Sequence, residues 1–440
     1  MLRTITFLAV MLVSVFGTCF AGNGIDQFFK ATSNPQNEIT PLYFGIHFGS
    51  AILPGRTTLR SPWPPLNFGT VRLWDTYTRW ADVTPRPGEW NFTRIDDYVA
   101  LAQSHHADVL YVLGSTPGWA SARPEESCPY GKGCAADPVR MAHWEEYVRR
   151  VAQRYKGKIS AYELWNEPFF SDLKNQKGGS DFYYGPVSKM VEMAKLARKI
   201  LDEFDPTAAL ATPGFTGPSN QLELFLSSGG KEYIQAIAFH FYSADDLQFI
   251  NQVLEVRAIM KRQGVEHLPL WNTETGLEVY PTDQPLPSGT QSWTYEEAAS
   301  RMAQFLVLGA AAGLERFYYY GWENLRSGMI TESGQHLPNY EAMEKIQNWL
   351  LSSRLTGCVT FDHGAVRCDG EHDGQRFVVA WADKPGEKTL ELPKGWRVTK
   401  AEPLLGSELI TTKIDSKSTV TLHLVKAPVH LVLEPVISPL

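Results

Sequence analysis

The sequence predicts a (β/α)8 TIM barrel followed by a small antiparallel β-sandwich module. Three observations carry that expectation. A strand-like apolar run followed by a helix-like segment recurs along the first three quarters of the chain. From the first run to the last is roughly 275 residues in seven steps, about 39 per step and slightly long for such a barrel. No Gly-rich dinucleotide fingerprint follows an early strand, which weighs against a doubly wound sheet.

The candidate strands are 42–48, 70–74, 109–113, 159–165, 209–212, 235–241, 268–272 and 315–320. Each is a short apolar or β-branched run, as a strand buried on both faces should be. Helical patterns lie between them, among them 95–104, 141–155, 186–204 and 295–312, and a last helix near 340–351 would complete the ring. Past residue 354 the texture changes. Val420, Leu422 and Leu424 alternate with polar neighbours, as do Val429, Leu431 and Leu433, and 377–381 is another strand-like run. Pro/Gly turns separate these pieces, so residues 355–440 are expected to form a β-sandwich and 22–354 the barrel.

The chain has 440 residues, a net charge of −7 and 43% hydrophobic residues, close to globular averages. The acidic balance disfavours a nucleic-acid partner, which would meet a basic face. Aromatics make up 12%, with 13 Trp, enough for a sugar-stacking surface although core filling accounts for most. Residues 1–21 place Arg3 before an uncharged apolar run that ends in small residues at Ala21, the layout of a secretory signal peptide. Cleavage near Ala21 leaves the mature chain at −8, because Arg3 is the one charge lost. The alternative is an uncleaved anchor. Cys19 would suit a lipoprotein, but Phe16, Gly17 and Thr18 before it fit that processing poorly. No later segment is long and apolar enough to cross a membrane. The other four cysteines form two close pairs, Cys128/Cys134 and Cys358/Cys368, without the two-residue spacings of a zinc site. Two local disulfides in a periplasmic or secreted, monomeric protein are expected.

In such a barrel the chemistry sits where strands end. Strand four ends Trp165-Asn166-Glu167-Pro168 and strand seven ends Trp271-Asn272-Thr273-Glu274. Glu167 and Glu274 are 107 residues apart. That is three repeats of about 36, so both can face one cavity. Paired carboxyls across a cleft suit acetal hydrolysis: one, protonated, helps the leaving oxygen depart, and the other, ionised, meets the positive charge developing at the anomeric carbon. Asn166 is placed to donate its amide to a sugar 2-hydroxyl. His240 and Tyr242 share one face at the end of strand six, where either can hold Glu274 ionised. Trp322 after strand eight can floor a sugar subsite. Arg72 on strand two is expected to pair with Glu274 or Asp75, and His47 and Trp119 also stand at strand ends as substrate-binding candidates. Glu163 is left aside, because the loop breaks the alternation that would orient it; Glu278 and Glu323 are rival carboxylates near the mouth.

The two strand-end motifs look like clan A of the glycoside hydrolases. Pro87-Gly88-Glu89-Trp90, Ile95-Asp96 and Thr116-Pro117-Gly118-Trp119-Ala120-Ser121 are similar to family 39 within it. The resemblance covers roughly residues 40–350 and implies a (β/α)8 fold with a β-rich accessory module. It implies a retaining glycosidase with Glu167 as general acid/base and Glu274 as nucleophile. That family includes β-xylosidases, α-L-iduronidases and bacterial enzymes that cut exopolysaccharides. The 281–288 loop and 291–293 match nothing in that pattern. The aromatic content and the lack of a large domain to block the cleft favour an endo-acting enzyme on a polysaccharide, a bacterial exopolysaccharide being the expected substrate; the alternatives are an exo-acting β-xylosidase or iduronidase type and a non-catalytic carbohydrate binder. No phosphate loop, His-Glu-x-x-His or Gly-x-Ser-x-Gly pattern is present, and no cofactor or metal is implied.

Overall fold

The computed structural model describes residues 37–49, 51–52, 61–173, 182–280, 292–324, 326–406, 413–415 and 419–436. The expected signal peptide, the 281–288 loop and Gln291 lie outside them. Eight parallel strands form the barrel: β1 (Phe44–His47), β2 (Thr70–Leu73), β3 (Asp108–Val112), β4 (Ala161–Glu163), β5 (Ala209–Ala211), β6 (Ile237–His240), β7 (Leu270–Thr275) and β8 (Arg316–Tyr319). Each pairs with the next, β1 also pairs with β8, and a parallel bridge between Ala211 and Ala236 joins β5 to β6. The ring is closed.

Among the described residues, seven helices of eight residues or more accompany the strands: α1 (Thr93–Ser104), α2 (Met141–Arg154), α3 (Val187–Phe204), α4 (Asn220–Ser227), α5 (Asp246–Gln263), α6 (Tyr295–Ala311) and α7 (Pro338–Leu350). Local chemistry sets their ends. Asp245 caps α5 through the Gln248 N–H, and Gly264 ends it at φ 70°. Thr294 and Glu297 form a reciprocal capping box at the start of α6. Inside the ring, Leu110, Ala161, Ala211, Ala236, Ala238, Trp271 and Tyr318 fill the bore. Alanines on β4 to β6 leave the space that Trp271 and Tyr318 occupy from across the barrel, and Gly45 is required because a Cβ there would overlap the Tyr318 ring.

The C-terminal strands are β9 (Ser353–Phe361), β10 (Ala365–His372), β11 (Gln375–Trp381), β12 (Gly386–Glu391), β13 (Trp396–Pro403), β14 (Lys413–Asp415), β15 (Thr419–Leu424) and β16 (Val429–Pro435). They make two antiparallel sheets, β9-β10-β11-β16-β13 and β12-β15-β14. Val378, Ala380, Leu390, Val420, Leu422, Leu431 and Leu433 form a core of their own. Phe377, Val379 and Trp381, on the opposite parity, join the outer core of the barrel. The alternation is why β11 has no wet face. Both expected disulfides, Cys128–Cys134 and Cys358–Cys368, are formed. Among the described residues no helix is long and apolar enough to cross a membrane.

Candidate active site

Arg72 organises the mouth of the barrel. It leaves the end of β2 fully buried, and a buried guanidinium needs anionic partners. Its Nε and Nη2 donate to both oxygens of Glu163 at 2.8 and 2.9 Å, its Nη1 to Glu274 Oε2 at 2.7 Å and its Nη2 to Asn166 Oδ1 at 2.7 Å. Of the two partners expected for it, Glu274 is the one it takes; Asp75 binds elsewhere. Glu163 corrects the sequence reading. It shares the inward parity of Ala161 on β4 and lies at the centre of the network. Its signal was a lone carboxylate in an otherwise apolar strand, matched by a lone arginine in another.

Past β4 the backbone bends sharply. Glu167 sits at φ 42°, a left-handed conformation that a non-glycine residue holds only when its surroundings impose it. Two main-chain bonds do so, Glu167 N to Gly214 O at 2.9 Å and Gly214 N to Trp165 O at 2.8 Å. Gly214 is a second residue the sequence reading missed. A Cβ there would overlap Glu163 Oε1 and His240 Nε2, so the position has no room for any side chain.

His240, at the end of β6, turns to Glu167 rather than to Glu274. Its Nδ1 lies 2.8 Å from Glu167 Oε1, and its Nε2 lies 3.8 Å from Glu163 Oε1. Burial opposes its charge, but Glu274, Glu163 and Glu167 outweigh burial and hold the imidazolium up to about 9. Tyr242 takes the other expected role, donating its hydroxyl to Glu274 Oε1 at 2.7 Å. Both Glu274 oxygens therefore face donors. Burial is the largest influence on this carboxyl and pushes it up; His240 and Arg72 pull it down, Glu167 and Asp75 push it up again, and the net is upward. Asn166 spends its carbonyl on Arg72, which leaves the amide nitrogen without a bond among the described residues.

The remaining candidates are less central. His47 donates Nε2–H to Thr273 O at 2.9 Å, and burial with Arg72 nearby keeps its imidazole neutral. It buttresses the strand that carries Glu274. Trp322 is 1% exposed, donates to Ser61 Oγ at 3.1 Å and packs on Tyr340, so its ring faces are spent on the core. Trp119 donates to Thr84 O at 2.8 Å and meets His143 edge-on. Neither touches the acid cluster. Glu278 accepts from Tyr280 in a separate group with Arg326.

One ligating atom each from Glu167, His240 and Glu274 lies within 4.8 Å of the others. The trio does not fit a resident metal, because the imidazole is held as a cation and Glu274 Oε2 is engaged by Arg72. Two cations against three carboxyls leave the cluster neutral when it carries one extra proton.

Fold and site together resemble those of clan A of the glycoside hydrolases. Residues 68–211, about a third of the chain, match the model of glycosyl hydrolase family 10. Over nearly the whole chain the fold is similar to solved glycoside hydrolases of families 39 and 30. A family 39 glycoside hydrolase from the gut symbiont Bacteroides cellulosilyticus superposes with a TM-score of 0.67 at 15% identity, covering 90% of this chain and 82% of that one. A family 39 β-xylosidase from Caulobacter crescentus gives 0.61 at 15% identity, covering 92% and 98%. A family 30 endoxylanase from Clostridium papyrosolvens gives 0.59 at 13%, covering 91% and 97%.

Proposed function

We propose that the protein is a retaining glycosidase that cleaves β-glycosidic bonds within a polysaccharide, and that its substrate is a bacterial exopolysaccharide. Glu274 is the nucleophile and Glu167 the general acid/base. The observation that carries this reading is the proximity of the two carboxylates, with oxygens within 4.8 Å of each other. Retention needs carboxyls about 5–5.5 Å apart, whereas inversion needs roughly 6.5–9.5 Å to admit a water. Their partners also differ. Arg72 and Tyr242 both donate to Glu274, which offsets part of the cost of burying the anion that attacks the anomeric carbon. Among the described residues Glu167 is hydrogen-bonded to His240 alone and stays partly open, so a leaving oxygen can reach it. The free amide of Asn166 is available to a 2-hydroxyl. Residues 22–354 are the catalytic barrel and 355–440 an accessory module, and the two disulfides suit an exported chain.

Glu274→Ala is expected to abolish turnover, with azide restoring it and giving the glycosyl azide of inverted configuration. Glu167→Ala should keep activity on substrates with good leaving groups, and azide should then give the retained product. Most of the wild-type activity surviving in Glu274→Ala would overturn the assignment. The second reading, exo cleavage as in a β-xylosidase, is separated by product sizes: single sugars released from one end of a defined oligosaccharide would favour it.

A further inference from the structure

Asp75 has no part in the reaction just described, yet it is built into the same mouth. It follows Arg72 by three residues, and its carboxylate is clamped from two sides. Oδ1 accepts from Tyr130 Oη at 2.6 Å and Oδ2 from Tyr320 Oη at 2.8 Å. Both hydroxyls are themselves fixed. Tyr130 accepts from Trp74 Nε1 at 2.9 Å, lies under the Arg79 guanidinium at 3.9 Å, and belongs to the loop closed by Cys128–Cys134. Tyr320 donates its backbone N–H to Thr275 O, next to Glu274, and its ring rests on His47. The two tyrosines are buried and held neutral, while Asp75 remains partly open. A carboxylate oxygen has two acceptor sites, so each retains one after binding its tyrosine.

The position of Asp75 says which part of a substrate it meets. This step rests on the glycosidase reading above. If Glu167 protonates the leaving oxygen, the leaving group lies over β4 to β6. The sugar that bonds to Glu274 then extends toward β8, β1 and β2, where Tyr320 and Asp75 stand.

We infer that Asp75 is a specificity residue that accepts a hydrogen bond from a glycone hydroxyl remote from the anomeric carbon, and that its charge selects uncharged glycones over uronic acids. Of the cations nearby, Arg72 is spent on Glu163 and Glu274, and Arg79 binds Asp82 through Nε and Nη2 while its Nη1 lies buried. A uronate in this subsite would face the Asp75 carboxylate, with Arg72 already neutralised by its two glutamates and Arg79 Nη1 closed off from solvent.

The test measures kcat/KM for wild type, Asp75→Asn and Tyr130→Phe. The substrates are aryl β-glycosides of xylose and glucose, as monosaccharides and as short oligosaccharides, with analogues deoxygenated at a free 3- or 4-hydroxyl of the sugar bearing the aryl group, and the corresponding aryl β-glucuronides. Removing the bound hydroxyl should cost wild type about tenfold to a hundredfold. Asp75→Asn should lose most of that penalty and raise glucuronide turnover relative to glucoside. Tyr130→Phe removes one of the same internal bonds but keeps the carboxylate, so it should retain the penalty, which a purely structural role for Asp75 would not produce. An equal deoxygenation penalty in wild type and Asp75→Asn would overturn the inference. A wild-type chain that cleaves none of these glycosides and no polysaccharide would instead overturn the glycosidase reading, and this one with it.

Discussion

Gly214 shows how one missing side chain makes a site. The carboxylate of Glu163 and the imidazole of His240 approach its Cα so closely that a methyl group has no place. Gly214→Ala should therefore displace both side chains and, through them, Arg72 and Glu167. A loss of about a hundredfold or more in kcat/KM is expected, since misplacement by about 1 Å can cost that much; steady-state kinetics beside a thermal melt separates it from unfolding. His240 makes a second prediction. Its folded value is raised to about 9, so the imidazolium persists at neutral pH and is lost as the pH rises through that value. An alkaline limb in kcat/KM with a midpoint near 9 should follow. Glu163 is one of the carboxylates holding that proton, so Glu163→Gln should move the limb to lower pH. A limb unmoved in that variant would detach it from His240.

At the scale of elements, β4 explains both a success and a failure of the sequence reading. The apolar run and the Asn-Glu-Pro turn after it mark a strand end, and the strand is there. Orientation was harder to read, because Glu167 itself sits at the bend and alternation cannot be carried through a φ of 42°. Glu163 lies before the bend, where period-two alternation with Ala161 still holds. Helices with strong end signals were more legible. The expected 295–312 segment is α6, begun by the Thr294/Glu297 capping box. Thr294→Ala should cost about 1 kcal/mol of stability and leave kcat unchanged, read from the denaturant midpoint and the rate.

For the whole molecule, the C-terminal sheets are integral to the barrel. Arg301 on α6 donates to Asp246 at 3.0 Å and to Asp383 at 3.0 Å, and Trp381 Nε1 donates to Asp246 at 2.7 Å. Cys358, Cys368, Phe377, Val379 and Trp381 share the outer core of the barrel. A chain ending at residue 354 would expose that surface, so it should aggregate or melt well below the full chain, as light scattering and calorimetry would show. The same seam makes an acid-sensitive joint. His430 stacks on Trp349 and neighbours Phe377, with neither ring nitrogen bonded among the described residues. Burial lowers it to about 4, with Glu402 opposing and Lys400 assisting. The unfolded chain, at about 6.5, takes up the proton first as the pH falls, so stability is lost between about 6.5 and 4. At pH 5 the loss is about 2 kcal/mol, and His430→Phe should flatten that dependence in unfolding curves at pH 7 and pH 5.

The order of strands and helices, the change of texture near residue 354 and the two acidic strand ends were determined by the sequence alone. Local periodicity and turn chemistry are short-range properties, and a barrel repeats them in order. Which polar groups meet was decided by closure of the ring. Arg72 and Glu163 are 91 residues apart. They become partners because β2 and β4 both point inward at one level, where burial forces each charge to find the other. Trp322 and Trp119 stand near strand ends in the sequence, and the tertiary structure commits their indole N–H groups to Ser61 and Thr84.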